Sequence, residues 1–210
     1  MTPQEMHELC DLLIDKANAP WFNPSEKDKF INLAMIEFLD NSYRLFEYNE
    51  EVREKLLPLV RSAALGAAPI TSVNLTAITD FRYALSLRGD YPDGCGGTVT
   101  LAVPPIQLDD EVRNQRDPFN VNDDANPGYI QENDGTNDLM RLISTTGATN
   151  AVLKFLKTPV DVDIVAAPTV NCELSPSCHE EIVNIAVRKM LGNIQDQFGY
   201  QVQTQESQIQ

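Results

Sequence analysis

Two histidines and four cysteines are the side chains of this 210-residue chain best suited to hold a metal or attack a substrate. Cys172, Cys178 and His179 are close enough in sequence to be drawn around a zinc ion. A structural zinc site needs four convergent donors, and C-x5-C-H is not a recurring zinc spacing, so no metal site is expected. His7, with Glu5 and Glu8 beside it, and His179, in a first helical turn, read as polar helix residues. Gly94-Cys95-Gly96-Gly97 is glycine-rich but follows a turn and precedes an alternating run. A phosphate cradle needs its glycines to lead into a helix N-terminus with a lysine nearby, so a hairpin tip is expected instead. The acids before Gly128 and Gly135 lack the alternate spacing of a calcium loop. No serine, histidine and aspartate, and no cysteine and histidine, fall into a catalytic pattern, so neither catalytic nor cofactor-binding residues are assigned.

Composition narrows the function classes. A hydrophobic content of 42% fits one filled core, or a core domain with a large insertion. No run approaches the ~20 apolar residues that cross a bilayer, and no basic segment leads into an apolar one near Met1. A soluble, unexported protein is expected, with its widely spaced cysteines as free thiols. The net charge of −15 opposes a surface that grips nucleic acid, because such binding neutralises phosphates with lysine and arginine. It suits solubility, or a surface past which DNA slides.

The elements that would position these residues begin with Thr2-Pro3-Gln4-Glu5, a cap, a first-turn proline and a returning glutamate. Met6, Leu9, Cys10, Leu13 and Ala17 then form one stripe of a short helix. A central helix is expected from Ser25 to about Tyr48, with Ser25 capping toward Asp28. Phe30, Leu33, Ala34 and Phe38 line it, while Ile31, Met35, Ile36 and Leu39 lie on other faces. Such a helix needs cover on more than one side. Asn49 caps a third helix, which Pro58 kinks or restarts and which fades by Gly66. At the far end Ser177 and Glu180 make a capping box. Val183, Val187, Met190, Leu191, Ile194 and Phe198 follow as the stripe of a long helix.

Between these helices the period shifts to two. Phe81 to Leu87, Val99 to Val103, Leu139 to Ser144, Ala151 to Thr158 and Val160 to Val165 all read as strands. Residues 109–138 hold nine acids and two arginines, about half of the net charge, and read as a long loop ordered by a partner. The expected fold is α+β: an antiparallel helical bundle of three N-terminal helices plus a long C-terminal helix, with a β-rich insertion. The bundle takes residues 1–69 and 174–199 and the insertion 70–173. A flexible tail follows at 200–210, where five of ten residues are glutamine.

The ordered succession NEEVREKLLPLV, FRYALSLRG, DPFN, NPGYI, VLKFLKTPVDVDI and CELSPSCHEEIVNIAVRKML resembles head-to-tail connector proteins of tailed phages, most nearly the ring proteins of crAss-like phages. That resemblance spans about four-fifths of the chain. It implies a virion structural protein with no enzymatic activity, made in the host cytoplasm. It also implies a homo-oligomeric ring of about twelve copies between portal and tail, around the path of the genome. The 109–138 loop and the tail are the expected contact regions, with Asp117, Phe119, Tyr129, Tyr200 and Val202 as candidate interface residues. The competing expectation is a small acidic binding or regulatory module of the DNA-mimic type. Such a mimic would lay acids along helix faces, whereas here they concentrate in a loop.

Overall fold

The computed structural model of the protein describes residues 1–16, 22–116 and 121–208. In chain order its helices are α1 (Pro3–Lys16), α2 (Pro24–Tyr43), α3 (Glu50–Leu56), α4 (Asp110–Arg116) and α5 (His179–Gln208). Its strands are β1 (Val60–Ala64), β2 (Ser72–Asn74), β3 (Phe81–Pro92), β4 (Thr98–Val103), β5 (Gly128–Asn133), β6 (Asp138–Ile143) and β7 (Thr149–Lys157). The chain divides into two compact units, Met1–Leu59 with Pro159–Gln210, and Val60–Thr158.

The mixed α and β class holds, but the expected bundle of three N-terminal helices plus a long C-terminal one does not form. Among the described residues there are five helices and two antiparallel sheets. The third helix is the point of departure. It stops after seven residues, passes through a 3-10 turn at Leu57–Leu59 and becomes a strand at Val60. Pro58 cannot continue an α-helix, because its ring clashes with the carbonyl four residues back and it offers no N–H. The Ala-rich stretch that follows is therefore β1, not a fading helix. A fourth helix, α4, belongs to the β unit.

In the helical unit, α5 packs on α1 and α2. Thr2 and Glu5 form the expected reciprocal cap: the Glu5 N–H donates to Thr2 Oγ1 at 3.2 Å and the Thr2 N–H to Glu5 Oε2 at 2.7 Å. Met6, Cys10 and Ile14 are the buried stripe of α1. The cap of α2 is Asn23 rather than Ser25. Asn23 exchanges bonds with Glu26 at 2.9 Å each way, and Pro24 occupies the first turn. Asp28, the partner expected for Ser25, is instead buried and paired with His7. The buried face of α2 is Ile31, Ala34, Met35, Phe38 and Leu39, which leaves Leu33 outside. On α5 the matching stripe is Ile182, Val183, Ala186, Val187 and Met190. No side-chain cap starts α5. A 3-10 turn at Pro176–Cys178 leads into it, and Ser177 Oγ lies 3.0 Å from Ser175 Oγ. The helix continues through Gln208, beyond the point where the glutamine-rich composition placed a tail.

Val160 to Val165 alternates in sequence yet forms no strand; only Asp163 and Val170 make an isolated bridge. The segment is held to α2 instead, through Asn32.

In the β unit, one sheet has the order β1-β7-β3-β4 and the other β2-β6-β5, with every neighbour antiparallel. Their inner faces feed one core that includes Val73, Leu87, Tyr91, Met140, Leu153 and Phe155. The turn between β6 and β7 requires Gly147. Its φ is +83°, and a Cβ there would come 2.7 Å from the Ile70 carbonyl oxygen.

Candidate functional site

Most of the side chains best suited to chemistry are buried or bonded within the protein, while Cys95 is exposed. The Cys178 thiol donates to the Ser175 carbonyl at 2.9 Å, and Cys172 Sγ lies 3.5 Å from Met35 Sδ. His179 Nε2 donates to the Leu174 carbonyl at 3.0 Å, while its Nδ1 accepts from the Met1 amino group at 2.9 Å. Both nitrogens thus have partners within the chain, in the neutral tautomer. Burial pushes Cys10 and Cys178 up to about 12, which denies them the thiolate a nucleophile or metal ligand needs. Among the described residues no three His, Cys, Asp or Glu side chains are grouped to hold a metal ion. Gly94-Cys95-Gly96-Gly97 is the hairpin between β3 and β4. Asp93 Oδ1 accepts from the N–H groups of Cys95 and Gly97, at 2.8 Å each.

The described parts of the acidic segment carry α4 and β5 and are bonded into the fold. Arg141 on β6 is gripped from two sides. Its Nη1 and Nη2 donate to the two Glu111 oxygens of α4 at 3.0 and 2.9 Å, and its Nε to Glu132 on β5 at 3.1 Å. This two-pronged geometry is the strong form of an arginine–carboxylate pair, and it holds the Glu111 carboxyl below its ordinary value. Asp124 accepts from the N–H groups of Thr145 and Thr146 at 2.9 Å each, tying the segment to the turn after β6. Asp134 likewise closes the β5–β6 hairpin through Thr136 and Asn137, whose N–H groups hold its carboxyl low. The negative charge therefore has a local structural use before any partner is considered.

Of the expected interface residues, Tyr129 is the one whose side chain lies among the described residues. Tyr129 is buried in the core of the β unit, as part of β5. Asp117 and Phe119 lie outside the described residues. Tyr200 and Val202 fall on the backbone of α5, and their side chains are outside the description.

What the fold does leave open is the four-stranded sheet at both ends. On β4, Thr98, Val99, Thr100 and Ala102 are exposed, and no described strand pairs with its outer side. On β1, Arg61, Ser62 and Ala64 are exposed, again with no described strand beyond. β4 carries no charge, no proline and no register shift against β3. On β1 the one charge is Arg61, whose Nη1 donates to the Val60 carbonyl at 3.0 Å. Beside β4, a cleft of about 570 Å³ is lined by Pro92, Val99, Leu101, Asp123, Asp124 and Thr145. β4 is legible from its alternation in the sequence, whereas β1 lies where a fading helix is expected. The available signal was Pro58, followed by a β-branched residue and small side chains.

The helical unit also exposes large apolar groups: Leu12 on α1, Leu33 on α2, and Leu45, Tyr48 and Leu57 on either side of α3. No family model matches the chain, and no curated protein matches its sequence. Among the described residues no helix is long and apolar enough to cross a membrane.

Proposed function

We propose that the chain is a structural subunit of an oligomeric ring in the head-to-tail connector of a tailed phage, set between portal and tail around the path of the genome. The observation that carries this reading is the pair of open edges at β1 and β4. An exposed, uncharged strand edge is a template for pairing, and monomeric proteins blunt such edges with charge, proline, bulges or cover. β4 has none of the first three. The resemblance of the ordered sequence motifs to connector rings supplies the kind of assembly. Two different edges on one subunit are what a head-to-tail ring needs.

The charge fits this role. A protein of net charge −15 does not hold DNA that must move past it. The DNA-mimic alternative fares worse, because Asp93, Asp124 and Asp134 face backbone N–H groups in turns instead of forming a row along a helix. In this role the chain is no enzyme and works in the virion after synthesis in the host cytoplasm. Asp117, Phe119, Tyr200 and Val202 are candidates to meet the portal or a neighbouring subunit.

Electron microscopy of the purified protein, alone and with its cognate portal protein, tests the reading. Closed rings, or binding to the portal as a ring, are expected. A chain that stays monomeric at high concentration and ignores the portal overturns it.

A further inference from the structure

We infer that β4 of one copy pairs antiparallel with β1 of the next, with Thr100 opposite Ser62, so that the four-stranded sheets join edge to edge around the assembly. The inference rests on the ring reading and names the contact that would build it.

The hydrogen-bond phase of each edge follows from one backbone bond. The Asp93 N–H donates to the Gly97 carbonyl at 3.1 Å, closing the β3–β4 hairpin. In an antiparallel pair, bonded positions recur at every second residue. With the register Tyr91 to Val99 and Gly89 to Leu101, those residues bond inward to β3. Thr98, Thr100 and Ala102 then turn their N–H and C=O groups outward. At the other edge the Leu65 N–H donates to the Ala151 carbonyl at 2.8 Å. With Ala63 opposite Leu153 and Arg61 opposite Phe155, these bond inward to β7. Val60, Ser62 and Ala64 therefore face outward. Each edge presents three outward residues at the same spacing.

Direction and facing agree as well. Three antiparallel steps separate β1 from β4, so the two edges run in opposite directions. A copy rotated about a ring axis keeps its orientation and so brings an antiparallel partner to its neighbour. The row Ala64, Val152, Arg88 and Ala102 crosses the sheet and places Ala64 and Ala102 on the same face. Pairing Ser62 with Thr100, Ala64 with Thr98 and Val60 with Ala102 keeps that face continuous and uses all three outward residues of each edge. A shift by one residue would reverse every side chain, and a shift by two would lose a pair. On the inner face Ala63 falls opposite Val99, a small side chain against the larger one that lines the cleft. Arg61 must release the Val60 carbonyl for the outermost pair, so Ser62 and Ala64 form the centre of the contact. Pairing β4 with β4 instead would make a closed two-fold dimer and leave β1 open, which does not build a ring.

The test is a cysteine pair, Ser62→Cys with Thr100→Cys, made in a Cys95→Ser background because Cys95 is exposed. Opposed bonded residues have Cα atoms about 5.5 Å apart, within disulfide reach. Mild oxidation should give a ladder of covalent oligomers on a denaturing, non-reducing gel. Either cysteine alone should give none, and a mixture of the two single variants should give dimers. Thr98→Pro, which removes the outward N–H opposite Ala64 at the first residue of the strand, where proline is tolerated, should weaken association at least about tenfold with the melting temperature little changed. Rings seen by electron microscopy without a ladder, or Thr100→Cys dimers in place of one, overturn the edge pairing and leave the ring reading standing. A chain that shows neither rings nor ladder overturns both.

Discussion

Asn32 on α2 holds Val162 by both of its amide groups: Nδ2 donates to the Val162 carbonyl at 3.1 Å, and Oδ1 accepts from the Val162 N–H at 2.8 Å. One side chain thus imitates a strand neighbour and satisfies a backbone pair whose residue is almost fully buried. Asn32→Leu should cost about 1–3 kcal/mol, since it leaves both backbone groups without this partner. Asn32→Asp, which keeps only the acceptor, should fall between. Urea unfolding of the three proteins gives the comparison, and equal midpoints would refute the clamp.

Arg141 ties α4 and β5 to β6, and its pull on Glu111 makes the tie pH-dependent. A carboxyl held low in the folded state stabilises above its unfolded value of ~4.3, and that stability is lost as pH falls through the folded value. Arg141→Gln should therefore flatten the acid limb of the stability curve and lower stability near neutrality by about 1 kcal/mol. Arg141→Lys should not restore it, because an ammonium cannot bind a carboxylate at two points. Thermal melts across the acid range, with hydrogen exchange at the amides of α4, would show both effects.

The Tyr91 hydroxyl is buried with no hydrogen-bond partner among the described residues, and burial, then the charge of Asp124, pushes it up to about 12. A buried donor without a partner costs free energy that a phenyl ring avoids. Tyr91→Phe should raise stability by up to about 1 kcal/mol. A loss of that size would mean the hydroxyl has a use.

His179 carries a different acid sensitivity. Burial lowers its folded value below the ordinary ~6.5, so the unfolded chain takes up a proton first as pH falls. Stability present above the unfolded value declines through the range just below it, before most carboxylates titrate. His179→Gln should remove that slope just below the ordinary histidine value, measured by chemical denaturation.

Legibility in the sequence followed how local each cause was. The Thr2 and Glu5 cap, the hairpin at Gly94, the alternation of β3 and, on α5, Val183, Val187 and Met190 need only neighbours along the chain, and these read directly. The two units of the structure depend on choices that distant residues settle. Whether 60–64 is helix or strand turns on Pro58 and on β7 as a waiting partner, about ninety residues later. Val160 to Val165 has a strand's pattern, but Asn32 takes up the backbone groups a strand would offer. The acids of 109–138 looked like a charged loop because no local rule pairs Glu111 with Arg141 thirty residues on. As for the candidate site, the alternation from Val99 to Val103 marks a strand, but nothing local says it lies at an edge.

β1 and β7 lie side by side, with Val60 opposite Leu156, so the chain enters and leaves the β unit through neighbouring strands. During synthesis that unit can close once Thr158 has cleared the ribosome, because every strand it needs has been made. Met6, Cys10 and Leu39 must wait for α5, which begins only at His179, before their cover arrives. Chains ending at residue 170 and released from the ribosome should accordingly show protease-resistant strands beside helices that are still cut.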